Sequence, residues 1–180
     1  MLEELIISGF GGQGVMLAGQ LLVRAGMREG LEVSWIPSYG PEMRGGTANC
    51  SVVLSDEAIG SPVVSEPSTV MAMNLPSVEK YLPLAQQGGL FLYNSSLARV
   101  QEPRGDLEIL GVPANEIADG LGNGKAANMV MLGAFLAKRP RLKKESIIAA
   151  LAAVLPAKKQ NLLPLNEEAL KLGAEFVANL

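Results

Sequence analysis

LIISGFGGQGVMLAGQLLVRAG, running from Leu5 to Gly26, is two periodic patterns joined by a glycine turn. Leu5 to Ser8 is a short apolar run, the signature of a buried strand. From Gly14 onward the apolar residues recur at spacings of three and four, which predicts a helix, and Gly30 supplies the C-terminal cap. Between them lies GFGGQG, Gly9 to Gly14, whose backbone lets another group approach closely because four of its six residues lack a side chain. Glu32 to Ile36 reads as the next strand, which Pro37 is expected to stop. The result is a βαβ unit with the usual right-handed crossover.

Working outward, SYGPEMRGG (Ser38 to Gly46) holds three glycines and a proline, so it is read as a shaped loop. Strands are predicted at Thr47 to Leu54, Thr69 to Met73, Gly89 to Tyr93 and Leu107 to Val112, with a hairpin or edge excursion at Ser55 to Pro67. A helix is predicted from Leu75 to Gln87, closed by Gly88 and Gly89. Beyond Pro113 the pattern is helical: NEIADGLG, Lys125 to Ala137, Lys143 to Leu155, and Asn166 to Leu180 with Asn166 as N-cap. This pattern predicts an α/β, Rossmann-like three-layer domain. Its sheet is mostly parallel with antiparallel additions (residues 1–113), and its C-terminal region is helical (114–180). The chain is read as a single domain spanning 1–180.

Of the 180 residues 48% are hydrophobic and only 18% charged, so there is much aliphatic surface to bury, some of it against a partner chain. A net charge of −3 argues against nucleic-acid binding. The basic run KRPRLKK, Lys138 to Lys144, is read as a solvated loop between helices, with a phosphate patch as the alternative. The N-terminal residues resemble neither a signal nor a transit peptide, and no run of about 18 uncharged apolar residues occurs, so a cytoplasmic protein without membrane spans is expected. There is no histidine, and Cys50 is the single cysteine. A cysteine-ligated cluster, a histidine zinc site and any histidine triad are thereby excluded from this chain. Cys50 lies in the alternating run TANCSVVL and is expected to be buried and inert.

Gly9, Gly11 and Gly14 satisfy G-x-G-x-x-G between strand and helix, the geometry that holds a pyrophosphate. A dinucleotide also requires an acidic residue at the end of the second strand, and this strand ends Trp35, Ile36, Pro37, Ser38. No Walker-type lysine follows the turn. Three readings stay open: a dinucleotide, tight packing alone, or contact with another ligand or subunit. Gln13 at the tip reads as a contact residue, since a primary amide both donates and accepts. The following loop brings Tyr39, Glu42 and Arg44 to the strand ends beside this turn. Arg44 offers a fork for a carboxylate or phosphate, or an internal pair with Glu42, while Gly45 and Gly46 permit close approach. Asn128, polar within ANMVMLGA, is expected to make a buried hydrogen bond to backbone.

GFGGQGV (Gly9 to Val15), SYGPEMRGG (Ser38 to Gly46) and GNGKAANMVMLGA (Gly122 to Ala134), in this order and spacing, resemble the gamma-type subunit of the 2-oxoacid:ferredoxin oxidoreductases, the pyruvate/ketoisovalerate oxidoreductase gamma domain. The resemblance implies one subunit of an enzyme that decarboxylates a 2-oxoacid on thiamine diphosphate with Mg, reduces ferredoxin through iron–sulfur clusters, and forms an acyl-coenzyme A. It implies that these cofactors sit in partner alpha and beta subunits and a candidate ferredoxin-like delta subunit, with no catalytic residue or metal in this chain. Coenzyme A enters as co-substrate. Gly11, Gly12, Gln13, Gly14, Tyr39, Glu42, Arg44, Gly45 and Gly46 would form a shared cofactor-binding wall or subunit interface. The motif forms are closer to subunits acting on 2-oxoglutarate or branched 2-oxoacids than on pyruvate, whose first turn more often reads GRGGQG, and the indolepyruvate type is a third choice. The alternatives are a stand-alone nucleotide-binding protein and a purely structural assembly subunit.

Overall fold

The computed structural model describes residues 1–38 and 48–180. Six strands, β1 (Leu2–Gly9), β2 (Glu32–Ser38), β3 (Ala48–Ser55), β4 (Thr69–Ala72), β5 (Leu90–Asn94) and β6 (Glu108–Val112), form one sheet in the order β2-β3-β1-β4-β5-β6. Only β3 runs against the others, being antiparallel to both β1 and β2, while β1, β4, β5 and β6 are parallel. The expected βαβ unit is therefore split: β3 lies between β1 and β2 rather than leaving them adjacent.

Alternation along the strands builds the layers. Leu5, Ile7, Met71, Met73, Leu90 and Leu92 point into a large cluster, whereas Ile6, Val70, Ala72 and Phe91 point into a smaller one on the opposite face. The large cluster is covered by α1 (Val15–Arg28), α3 (Ala114–Gly120), α4 (Ala127–Lys138), α5 (Lys144–Val154) and α6 (Leu163–Ala178). The smaller is covered by α2 (Leu75–Tyr81). Helix α1 lies close against the sheet because Gly19 and Gly26, two turns apart, have no Cβ. A Cβ on Gly19 would stand 2.6 Å from Cys50 Sγ, and one on Gly26 2.8 Å from Val33 Cγ1. Its end is a Schellman motif, with Leu31 N donating to Gly26 O (3.0 Å), Gly30 N to Met27 O (3.2 Å), and Gly30 at φ +79°.

Several expected boundaries move for identifiable reasons. Strand β2 continues through Pro37 to Ser38; among the described residues it has a neighbour on one side only, and an edge strand is where a sheet tolerates proline. Residues 56–68, expected as a hairpin or edge excursion, hold bends and no strand, so the hairpin does not form. Helix α2 stops at Tyr81 rather than Gln87. Pro83 cannot continue a helix, and the Arg104 guanidinium, held by Asp106, takes the carbonyls of Leu82 (3.0 Å) and Ala85 (2.8 Å). Helix α6 starts three residues early, at Leu163 with Pro164 in its first turn. Asn166 is therefore not its cap but lies inside it, donating to Leu162 O at 2.8 Å.

The basic run after α4 is largely neutralised within the chain. Lys138 and Arg139 pair with Glu108, and Arg141 Nε donates to Oε2 of the buried Glu3 at 3.0 Å. The other Glu3 oxygen accepts from Ser68 Oγ and Thr69 Oγ1, so this carboxylate is fully engaged at the amino end of the sheet.

Cys50, fully buried on β3, donates its thiol towards Val15 O at 3.7 Å. Burial pushes its pKa up to about 11, outweighing the favourable Trp35 and Gly19 N–H groups beside it. At pH 8 the thiolate fraction falls about a hundredfold below that of an ordinary cysteine, so an aromatic disulfide reagent should label the folded chain more slowly by at least that factor and the denatured chain at the usual rate. The native state also holds this proton more tightly than the unfolded chain, so its contribution to stability is complete below pH 9 and is lost as pH rises from 9 towards 11.

Candidate functional site: the glycine turn at the carboxyl edge of the sheet

The chain leaves β1 towards β2 and β3 on one side and returns to build β4, β5 and β6 on the other. The carboxyl ends of β1 and β4 are therefore the topological switch point, where open α/β sheets place their ligands. The glycine turn caps that position. Gly12 and Gly14 have φ of +92° and +75°, a region that glycine enters without strain. Around Gly12 nothing lies within 4 Å of where a Cβ would project, so glycine is needed there for conformation while the space above it is open. At Gly14, the N-cap of α1, a Cβ would stand 2.7 Å from Asn128 Cγ, so conformation and packing both require glycine. Gly11 and Gly12 are exposed.

Gln13 points into the chain. Its Nε2 donates to Met73 O (3.2 Å), and its Oε1 accepts from Phe10 N (2.6 Å) and from Asn74 Nδ2 (3.3 Å). The amide thus occupies the crevice between the ends of β1 and β4, where a dinucleotide pyrophosphate would have to enter. Asn128, at the start of α4, donates Nδ2 to Gly14 O at 3.2 Å, the buried backbone bond expected of it.

Asn74 and Asn94, which belong to none of the sequence motifs, extend this pattern along the edge. Asn74 caps α2 by accepting from Ser77 N (2.9 Å). Asn94, fully buried, donates Nδ2 to Met73 O (3.3 Å) and Asn115 Oδ1 (2.7 Å), and accepts from Ala114 N (3.2 Å) and Ser96 N (3.3 Å). The segments that follow β1, β4, β5 and β6 are thereby joined by side-chain amides. The available signal was an apolar strand ending in asparagine, as in MAMN74 and FLYN94. Beside this edge an open depression of about 610 Å³ is lined by Leu75, Ser95, Leu97, Arg99 and Glu116 among others. Tyr39, Glu42, Arg44, Gly45 and Gly46 lie outside the described residues.

The sequence model of the family described as pyruvate ferredoxin/flavodoxin oxidoreductase matches residues 4–176, nearly the whole chain. The chain belongs to that family. Family relatives include the ketoisovalerate oxidoreductase subunit VorA of Methanothermobacter thermautotrophicus, 42% identical over 171 residues that cover 94% of this chain. The match takes up only 35% of VorA, so this chain spans about a third of that relative's length. The 2-oxoglutarate synthase subunit KorC of Methanocaldococcus jannaschii is 35% identical over 168 residues, 91% of this chain and 90% of KorC. Among family structures, the crystal structure of the keto/oxoacid ferredoxin oxidoreductase gamma subunit from Geobacter sulfurreducens superimposes with a TM-score of 0.85 at 28% identity, over 99% of both chains. No described helix is long and apolar enough to cross a membrane.

Proposed function

We propose that this chain, as a single gamma-type domain, is the gamma subunit of a 2-oxoacid:ferredoxin oxidoreductase. The assembled enzyme oxidatively decarboxylates a 2-oxoacid of the 2-oxoglutarate or branched-chain type to an acyl-coenzyme A and reduces ferredoxin. The observation that carries this reading is the end-to-end likeness to a gamma subunit of that class, with both chains covered at 99%. The donor set agrees: one cysteine, fully buried, provides no thiolate set for an iron–sulfur cluster in this chain. Thiamine diphosphate, Mg and the clusters belong to alpha, beta and delta-type partners. The open backbone at Gly11 and Gly12, with Tyr39, Glu42, Arg44, Gly45 and Gly46, forms a wall of the coenzyme A or substrate entrance completed by those partners.

Co-expression with the thiamine- and cluster-bearing subunits should give a stable complex with coenzyme A-dependent reduction of ferredoxin or viologen, assayed with 2-oxoglutarate and with ketoisovalerate. Activity undiminished when this chain is left out overturns the proposal. Within the complex, Arg44→Ala should raise the KM for coenzyme A or oxoacid roughly tenfold, as expected when a charge-assisted contact of a few kcal/mol is lost. The inward-turned Gln13 amide favours a second reading, an assembly scaffold, under which Arg44→Ala leaves both constants unchanged.

A further inference from the structure

The turn is held from two sides by two amides whose partners come from different parts of the fold. Gln13 ties it to the end of β4 through Met73 O and Asn74, and Asn128 ties its last residue to the start of α4 through Gly14 O. Gly14 O is also the first acceptor of α1, taking Ala18 N at 3.0 Å, so Asn128 fixes the point where turn becomes helix. Asn128 is 3% exposed and Asn74 1% exposed, so neither amide exchanges its protein partner for water without cost. Within the turn Phe10, Gly11 and Gly12 are exposed, with open space over Gly12, while Gln13 and Gly14 are half-buried.

We propose that Gln13 and Asn128 are positioning residues: they lock the glycine turn in one conformation, so that the Gly11–Gly12 backbone with the exposed Phe10 beside it, and not the Gln13 side chain, is what the turn presents to ligand or partner. The kinetic part of this inference rests on the gamma-subunit reading; the conformational part does not. A backbone edge that keeps its shape before contact loses less conformational freedom on binding than one that must be ordered. The reporter is the backbone N–H of residue 13. It donates to Phe10 O across the turn at 3.2 Å, and that bond involves neither side-chain amide.

Two variants test it. Gln13→Met keeps the length of the side chain and removes all of its hydrogen bonds. Asn128→Asp keeps the shape and replaces the donor to Gly14 O by an oxygen. Hydrogen exchange of the residue-13 and Ala18 amides, measured on the full chain against core amides of β3, should be at least tenfold faster in each variant. In the reconstituted complex, assayed with coenzyme A and with 2-oxoglutarate or ketoisovalerate, the KM for coenzyme A or for the oxoacid should rise five- to tenfold with kcat within twofold. Unchanged exchange in both variants overturns the proposal. So does a raised KM with unchanged exchange in Gln13→Met, which makes Gln13 a contact residue. If Asn128→Asp fails to fold, Gln13→Met in the solvent-facing turn decides alone. If the wild-type chain supports no oxoacid oxidation, the functional reading fails while the exchange result still judges the clamp.

Discussion

Gly173→Ala should destabilise the chain by about 3 kcal/mol, and Gly133→Ala by a similar amount, the upper range for overpacking a core. Helices α4 and α6 run antiparallel with Gly133 opposite Leu170 and Gly173 opposite Val130. A Cβ on Gly133 would collide with the Leu170 carbonyl oxygen and stand 2.8 Å from its carbon, and one on Gly173 would collide with the Val130 carbonyl in the same way, 2.7 Å from its carbon. Both obstacles are backbone within helices, so no rotamer change relieves them. The helices must separate, and α4, buried from Ala127 to Leu136, then loses packing along its length. For a chain of this size the loss corresponds to a fall in midpoint temperature of roughly 10 °C, measured by calorimetry or circular dichroism. Gly120→Ala is the control. Gly120 ends α3 with nothing within 4 Å of where a Cβ would project and no positive φ, so alanine there should be neutral or stabilise by about 0.5 kcal/mol. Equal effects at the three positions would show that the α4–α6 contact is not what makes Gly133 and Gly173 necessary.

The features that could be read in the sequence are those whose cause is local. LIISGFGGQGVMLAG carries strand, turn and helix in consecutive residues, and both positive-φ glycines of the turn fall inside it. The run MVMLGAFL is apolar on every face, which marks α4 as a helix enclosed on all sides. What could not be read depends on residues far apart. Nothing in the alternation of Ala48–Ser55 says that it pairs with both Leu2–Gly9 and Glu32–Ser38, because period two fixes a strand's faces and not its neighbours. The end of α2 is set partly by Arg104, some twenty residues later. At the site, Gln13 is legible as an amide with something to hold, but its direction is set by Met73 and Asn74, sixty residues on. A sequence motif therefore locates the turn, while the topology determines that its glutamine faces inward and Gly11 and Gly12 outward.

The other large effect is expected at Asn94, and its pH dependence is what makes it diagnostic. Asn94→Ala removes an amide that makes four hydrogen bonds at 0% exposure. Ala114 N, in a fully buried residue, loses its acceptor, and Asn115 Oδ1 loses its donor, while Met73 O keeps Gln13. An orphaned buried N–H together with the lost packing should cost about 3 kcal/mol. Asn94→Asp preserves volume and the acceptor to Ala114 N, yet turns an oxygen towards Met73 O and Asn115 Oδ1, which now face it without a proton between. One oxygen of the ionised side chain keeps the Ala114 and Ser96 N–H donors, but the other faces two acceptors and the group is fully buried, so burial and repulsion raise its folded-state pKa above the unfolded value of about 3.9. A folded-state pKa above the unfolded one means that the native state binds the proton more tightly. The stabilising effect of that proton is therefore greatest at low pH and is lost as pH rises through the folded-state pKa. Urea unfolding of Asn94→Asp should thus show a deficit against wild type that is largest at neutral pH and shrinks on acidification, as the protonated carboxyl regains one donor. The Asn94→Ala deficit should stay level over the same range. A pH-independent Asn94→Asp deficit would mean that the carboxyl titrates alike in the folded and unfolded states, so that Met73 O and Asn115 Oδ1 do not press against a buried charge at this edge.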